Sequence, residues 1–320
     1  MPNFALHVLL ASRVAESWRT RPDSAPVDPD EPANINALLH GSVGPDMGMY
    51  PGGEVLVSDV VHRIRTGELV RNMLDSADDD AQRAFAWGWV THIVADVLIH
   101  PLVNRAAADL LGRRHIDLMD PLQGVAHVRV ELGLDAEYLA RNDFLRHTHL
   151  RPMLDETSVG FLHDALRATY HVEFAAAALL RSHLAVVRLH RHLLLLNRAV
   201  AAGWGRRVRA TPALLALLPL LPVARTVARM TIDARSSVAG FLDPVRPAPA
   251  LLRDVDDVVA AFPDLVHPFV ASGGALLDNY DLETGGVESP YRPTPTTLAT
   301  LRDLDRRGLA LTDYPAREAA

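Results

Sequence analysis

Between Thr91 and Asn104 the chain reads T-H-I-V-A-D-V-L-I-H-P-L-V-N, so His92, Asp96 and His100 recur at four-residue steps. On an α-helix four residues turn about 400°, so each step drifts only about 40° and climbs about 6 Å. The three side chains therefore stack on one helix face, with His92 and His100 about 12 Å apart along the axis. A histidine nitrogen must approach zinc to about 2.1 Å, and two imidazoles so separated cannot converge on one ion. If all three residues bind metal, at least two ions are implied, with Asp96 as the natural shared ligand. An apolar helix does not bury a carboxylate and two imidazoles without a use for them.

His127 and Glu131, in H-V-R-V-E, repeat the four-residue step on a later stretch that also scans as helix. Two helices could then face each other across the ions. The N-terminal third adds His7, Asp46 and His62, so the candidate ligand set is five histidines and three carboxylates, all within the first 131 residues. Di-iron carboxylate bundles are dominated by Glu-x-x-His pairs, whereas imidazole with aspartate suits zinc while leaving manganese, iron and nickel open. There is no cysteine, which excludes both disulfides and thiolate zinc sites. Several ions without thiolates point to catalysis rather than to a structural clip. Clustered dications would lower the pKa of a bound water and neutralise charge on a phosphoryl oxygen, so that hydroxide attacks phosphorus in line with the leaving alkoxide. Phosphoric ester hydrolysis is the chemistry expected.

The elements that must position these residues read as an all-α, multi-helix bundle with the metal cluster between helices. Alanine- and leucine-rich stretches with three-to-four-residue apolar spacing run through 3–20, 54–74, 80–111, 117–141, 159–202 and 211–240. Breaks fall at 22–32, at 44–53 with its G-P-D and P-G-G turns, and at 244–249. The expected organisation is a helical metal-binding catalytic domain over 1–203, a helical extension packing on it over 204–270, and a loosely structured tail with one short helix over 271–320. Trp87 and Trp89, just before the metal motif, are expected in the core.

Taken in order, His7, G-x-x-x-P-D from Gly41 to Asp46, His62, H-x-x-x-D-x-x-x-H-P from His92 to Pro101, and H-x-x-x-E from His127 to Glu131 resemble the zinc-dependent phospholipase C family. That family is a branch of the superfamily that also holds the single-strand-specific zinc nucleases of moulds and plants. The resemblance implies that His62, His92 and Asp96 hold one zinc, with Asp46 beside it as a further ligand or as the general base. It implies that His100, His127 and Glu131 hold a second. A third would be held by His7, Asp96 and the free N-terminal amine, which is Pro2 if the initiator Met is removed. The count implied is two to three Zn2+ ions. The short gap between Asp96 and His100 matches the cytosolic or GPI-phospholipase-like branch rather than the secreted enzymes. The substrate implied is a phosphodiester, a phospholipid by the family's name, and peripheral membrane contact is left open.

Charge and composition narrow the partners. A net charge of −7 over 320 residues argues against bulk nucleic-acid binding. All 32 basic residues are arginine, whose bidentate fork suits phosphate; Arg63 and Arg65, just past His62, are the phosphate-binding candidates, against the plainer reading of a solvated helix flank. Asp59 is expected as a hydrogen-bond partner of a ligand histidine. The N-terminus carries no recognisable signal peptide, and the apolar run 212–224 is broken by Pro219 and Pro222 and too short to span a bilayer; a cytoplasmic enzyme is expected. Two alternatives stand beside the hydrolase: a zinc-stabilised helical binding module without hydrolytic activity, and a non-hydrolytic iron enzyme on the same ligands.

Overall fold

The computed structural model describes residues 4–146, 148, 150–155, 158–204 and 244–315. Among them the chain forms α1 (Phe4–Thr20), α2 (Pro32–Gly41), α3 (Val55–Arg63), α4 (Thr66–Asp75), α5 (Asp80–Leu110), α6 (Pro121–Arg141), α7 (Val159–Tyr170), α8 (Ala176–Trp204), α9 (Pro249–Ala271) and α10 (Pro295–Arg306). The described strands, β1 (Tyr280–Asp281) and β2 (Gly286–Val287), pair as one short antiparallel ribbon. The architecture is all-α, as the apolar periodicity predicts.

A helix that is apolar all round ends up surrounded, and α5 is the axle of the bundle. Its start is fixed by the Asp79 carboxylate, which accepts from the Gln82 amide at 2.8 Å. Around it pack α1, α2, α4, α6 and α9. Trp87 and Trp89 lie in the core as expected. Among the described residues α5 is also the one helix long and apolar enough to cross a bilayer, but 72% of its apolar window is buried inside the fold, as in a core helix.

Helices α2 and α5 pack backbone to backbone. A methyl group at Gly41 would collide with the Phe85 carbonyl, and one at Gly88 with the Leu38 carbonyl. These two glycines let the backbones touch, which brings the turn after α2 onto the metal-motif face of α5.

Several boundaries differ from the sequence expectation. The stretch 54–74 is two helices, broken where Arg65 adopts φ 50°, and 159–202 is two helices, broken where His171 adopts φ 55°. Neither residue is glycine or proline, so nothing in the local composition announces the left-handed turn. Helix α2 was not among the expected stretches, and α9, though inside the helical extension expected over 204–270, had no stretch of its own; each opens on a proline at its start, where proline favours a helix although it reads as a break. The expected tail is not loose. Leu282 is fully buried, its amide donates to the His62 carbonyl at 2.7 Å, and α10 packs on α3. Its Gly-, Pro- and Thr-rich sequence shows no periodicity because backbone bonds, rather than an apolar stripe, hold it down. The expected helix over 211–240 and the N-terminal residues 1–3 lie outside the described residues.

Candidate metal centre

Five elements deliver the eight expected ligands to one place. His7 comes from α1, Asp46 from the single-turn helix Pro45–Met49, His62 from the last turn of α3, His92, Asp96 and His100 from α5, and His127 and Glu131 from α6. All eight are buried or nearly so. Three groups of ligand atoms lie within 4.8 Å of one another: His7, His92 and Asp96; Asp46, His62 and His92; and His100, His127 and Glu131.

Asp96 stands between the groups. Its Oδ2 faces His92 Nε2 at 3.0 Å and His62 Nε2 at 3.9 Å, while its Oδ1 faces His7 Nε2 at 3.2 Å and His100 Nε2 at 3.6 Å. His62 Nε2 lies 3.2 Å from Asp46 Oδ1. On the far side, Glu131 Oε1 is 3.2 Å from both His100 Nε2 and His127 Nε2. Two ligands bound 2.1 Å from a tetrahedral ion stand about 3.4 Å apart, so these separations suit zinc. The buried Asp46 Oδ2 and Glu131 Oε2 find no hydrogen-bond partner in the protein, as expected of oxygens kept for a metal or for water.

Four histidines are aimed by their other ring nitrogen. Nδ1 of His62 meets the Ser58 carbonyl at 2.7 Å, that of His92 the Ser42 carbonyl at 2.9 Å, that of His100 the Leu282 carbonyl at 2.6 Å, and that of His127 the Asn104 Oδ1 at 2.8 Å. An oxygen of this kind only accepts, so each Nδ1 carries a proton and each Nε2 is the nitrogen turned to the cluster, where a cation can take the place of its proton. His7 is placed differently. Asp135, one turn beyond Glu131 on α6, accepts from the Ala5 and Leu6 amides at 3.0 and 3.1 Å and so seats the start of α1.

Electrostatics follow from the crowding. Burial lowers His92, but Asp96 and Asp46 outweigh it and raise its pKa to about 9; burial likewise lowers His100, and Asp96 with Glu131 raises it to about 10. Burial and the neighbouring His92 lower His7. Burial pushes Asp46 and Asp96 up, yet the surrounding imidazoles hold both below the ordinary carboxylate range. The carboxylates are therefore ionised, a donor set ready for cations.

Seven of the eight, all but His92, line a cavity of about 260 Å³. Its walls carry Leu118, Met119 and Val128 on the α6 side and Glu283, Thr296 and Thr300 from the C-terminal segment. Three expectations fail here. Asp59 does not meet a ligand histidine: it pairs with Arg63 one helical turn away, while Ser58 supplies the carbonyl to His62. Arg63 does line the cavity, but its two terminal nitrogens are taken by Asp59, Glu283 and Thr300, so only Nε is without a partner and no two-pronged fork is free for phosphate. Arg65 is not at the cavity, because the left-handed break turns it away to bond the Thr169 carbonyl and Asp313, both at 2.8 Å. His40, four residues before the Gly44 turn, points away from the cluster to the Arg151 carbonyl and His183.

Sequence reading missed Asn104, Asp135 and Glu283. Asn104 continues the four-residue step after His92, Asp96 and His100, and Asp135 continues the step after Glu131, so spacing could have found both. Glu283 has no such signal, since it reaches the site through tertiary folding alone.

A family model described as zinc-dependent phospholipase C matches residues 6–183, a span that contains all eight ligand residues. No curated protein and no solved structure matches the chain. With more than half of its length matched, the chain belongs to the zinc-dependent phospholipase C family.

Proposed function

We propose that the protein hydrolyses a phosphodiester at this cluster, with a phospholipid-type ester as substrate class and two to three zinc ions as cofactor. The observation that carries the reading is the fusion of three ligand groups, through Asp96 and His92, on the floor of one open cavity. A structural zinc site is closed by four protein ligands; here buried carboxylate oxygens remain unpartnered beside the cavity. Ions would be held by His62, His92 and Asp96 with Asp46, by His100, His127 and Glu131, and by His7 with the Oδ1 side of Asp96. Zinc bound there would supply a Lewis acid that lowers the pKa of water and neutralises charge on the phosphoryl oxygens.

The protein's own groups do the rest. Asp46, ionised and with Oδ2 unpartnered, takes the proton of the attacking water. That water's oxygen bonds to phosphorus as the bond to the alcohol oxygen breaks, and the alkoxide leaves with a proton from solvent. Asp96 and Glu131 keep the histidines oriented through the step. The Leu118 and Met119 wall offers an apolar surface to a diacylglycerol-like leaving group, and Met119 is 47% exposed at the mouth. The test is Asp46→Asn. An enzyme keeps most of its zinc and its fold and loses turnover by about 10²–10⁴-fold; a variant that hydrolyses phosphodiesters at the wild-type rate contradicts the role.

A further inference from the structure

We propose that the segment Tyr280–Val287, which lies about 100 residues beyond the family-matched span, is a built-in part of the metal centre. Its Leu282 and Glu283 carbonyls, the second acting through Asn104, are the positioning groups that set His100 and His127. The inference rests on the metal-binding reading above and concerns the His100, His127 and Glu131 group.

Two consecutive carbonyls reach the site. Leu282 O accepts from His100 Nδ1 at 2.6 Å, and Glu283 O accepts from Asn104 Nδ2 at 2.8 Å. A carbonyl cannot donate, so the Asn104 end facing Glu283 must be the NH2 group, and the end facing His127 must be the oxygen. That oxygen, 2.8 Å from His127 Nδ1, requires the proton on Nδ1 and leaves Nε2 as an acceptor. One turn of backbone thus fixes the tautomers of both histidines, directly for one and through an amide for the other.

The segment is itself pinned to the ligand-bearing helices. Leu282 N donates to the His62 carbonyl at 2.7 Å, and the Glu283 carboxylate takes Arg63, the residue next to His62, at 2.8 Å. Gly285 sits against α5 with φ +71°, where a Cβ would lie 2.6 Å from the Val97 carbonyl. Pro101 has no N–H to give that carbonyl, so α5 presents an open backbone at the place where the segment docks. Asp281 anchors the other end through Thr294 at 2.7 Å. Arg63 is therefore a clamp for the segment.

The experiment is zinc and cobalt binding, followed by chelator competition, on full-length wild type, Asn104→Leu and Gly285→Ala. Asn104→Leu breaks the relay with little change in volume, and Gly285→Ala displaces the segment without touching a ligand or its partner. In both, one ion is expected to be released about 10–100-fold more readily, with the remaining ions held as in wild type, the cobalt visible spectrum altered and the far-ultraviolet dichroism unchanged. Affinities within twofold of wild type at every site, or an equal loss at all sites, would overturn the inference while leaving metal binding intact. A wild-type chain that binds no metal would overturn both.

Discussion

Among the eight clustered side chains, Asp96 has the widest reach: its two oxygens face four histidines drawn from three helices. Removing it takes away the one carboxylate that these four imidazoles share, so loss of metal at more than one site is expected. Asp135 works at the same scale but on the backbone. Burial pushes its pKa up to about 8 while the Ala5 and Leu6 amides pull it down, and those amides have it as the acceptor at the start of α1. Asp135→Ala strands two buried donors, at about 1–3 kcal/mol each. Urea denaturation should show a loss of about 2–6 kcal/mol for the two together, with the His7 end of the cluster loosened; a variant as stable as wild type would contradict the capping role. The clustering of His92, Asp96, His100, His127 and Glu131 was legible because four-residue steps are a property of one helix, whereas His7, Asp46 and His62 joined the expected set through the family resemblance. Arg63, Arg65 and Asp59 were misread because closeness in sequence to His62 says nothing about which way a guanidinium turns after a helix breaks.

At the level of elements, the α2–α5 contact sets one face of the site. Gly41 and Gly88 admit an approach that delivers the Ser42 carbonyl to His92 Nδ1. Gly88→Ala inserts a methyl into that contact, and overpacking of this kind costs about 1–3 kcal/mol. The expected outcome is a lower thermal midpoint together with weaker zinc retention. Full zinc affinity in a destabilised variant would separate the helix contact from the orientation of His92. Helix type was readable from apolar spacing along α1, α5 and α6. The left-handed breaks at Arg65 and His171 were not, since they are imposed by packing and by bonds made elsewhere, as when the Arg65 amide donates to Glu288 at 2.6 Å.

The whole molecule carries a second histidine group away from the metals. His40 gives its Nε2 to the Arg151 carbonyl, His183 Nε2 accepts the Met153 and Leu154 amides, and the two rings lie 4.5 Å apart. Burial lowers both, aided for His40 by the neighbouring His183, to about 3 for His40 and about 4 for His183. The unfolded chain takes up these protons near pH 6.5 and the folded one refuses them until about 4 and 3. Stability therefore falls as pH drops from about 6.5 through that window, at about 1.4 kcal/mol per pH unit for each residue, and levels off above it. Chemical denaturation from pH 6.5 to 4.5 should show a shallower slope in His183→Gln than in wild type; equal slopes would contradict a neutral buried pair.

Chain closure is also a property of the whole. The family-matched span contains all eight clustered side chains, yet the Leu282 and Glu283 carbonyls outside it meet His100 directly and His127 through Asn104, and nothing local in that Gly- and Pro-rich sequence reveals it. The most direct test of the central claim is elemental analysis of wild type and Asp96→Ala, joined to a phosphodiester hydrolysis assay. Two to three zinc ions in the wild type, matching the three ligand groups, with metal and turnover lost together in the variant, are what the account predicts. Less than one bound ion in the wild type, or an Asp96→Ala chain that keeps its zinc and its turnover, would contradict it.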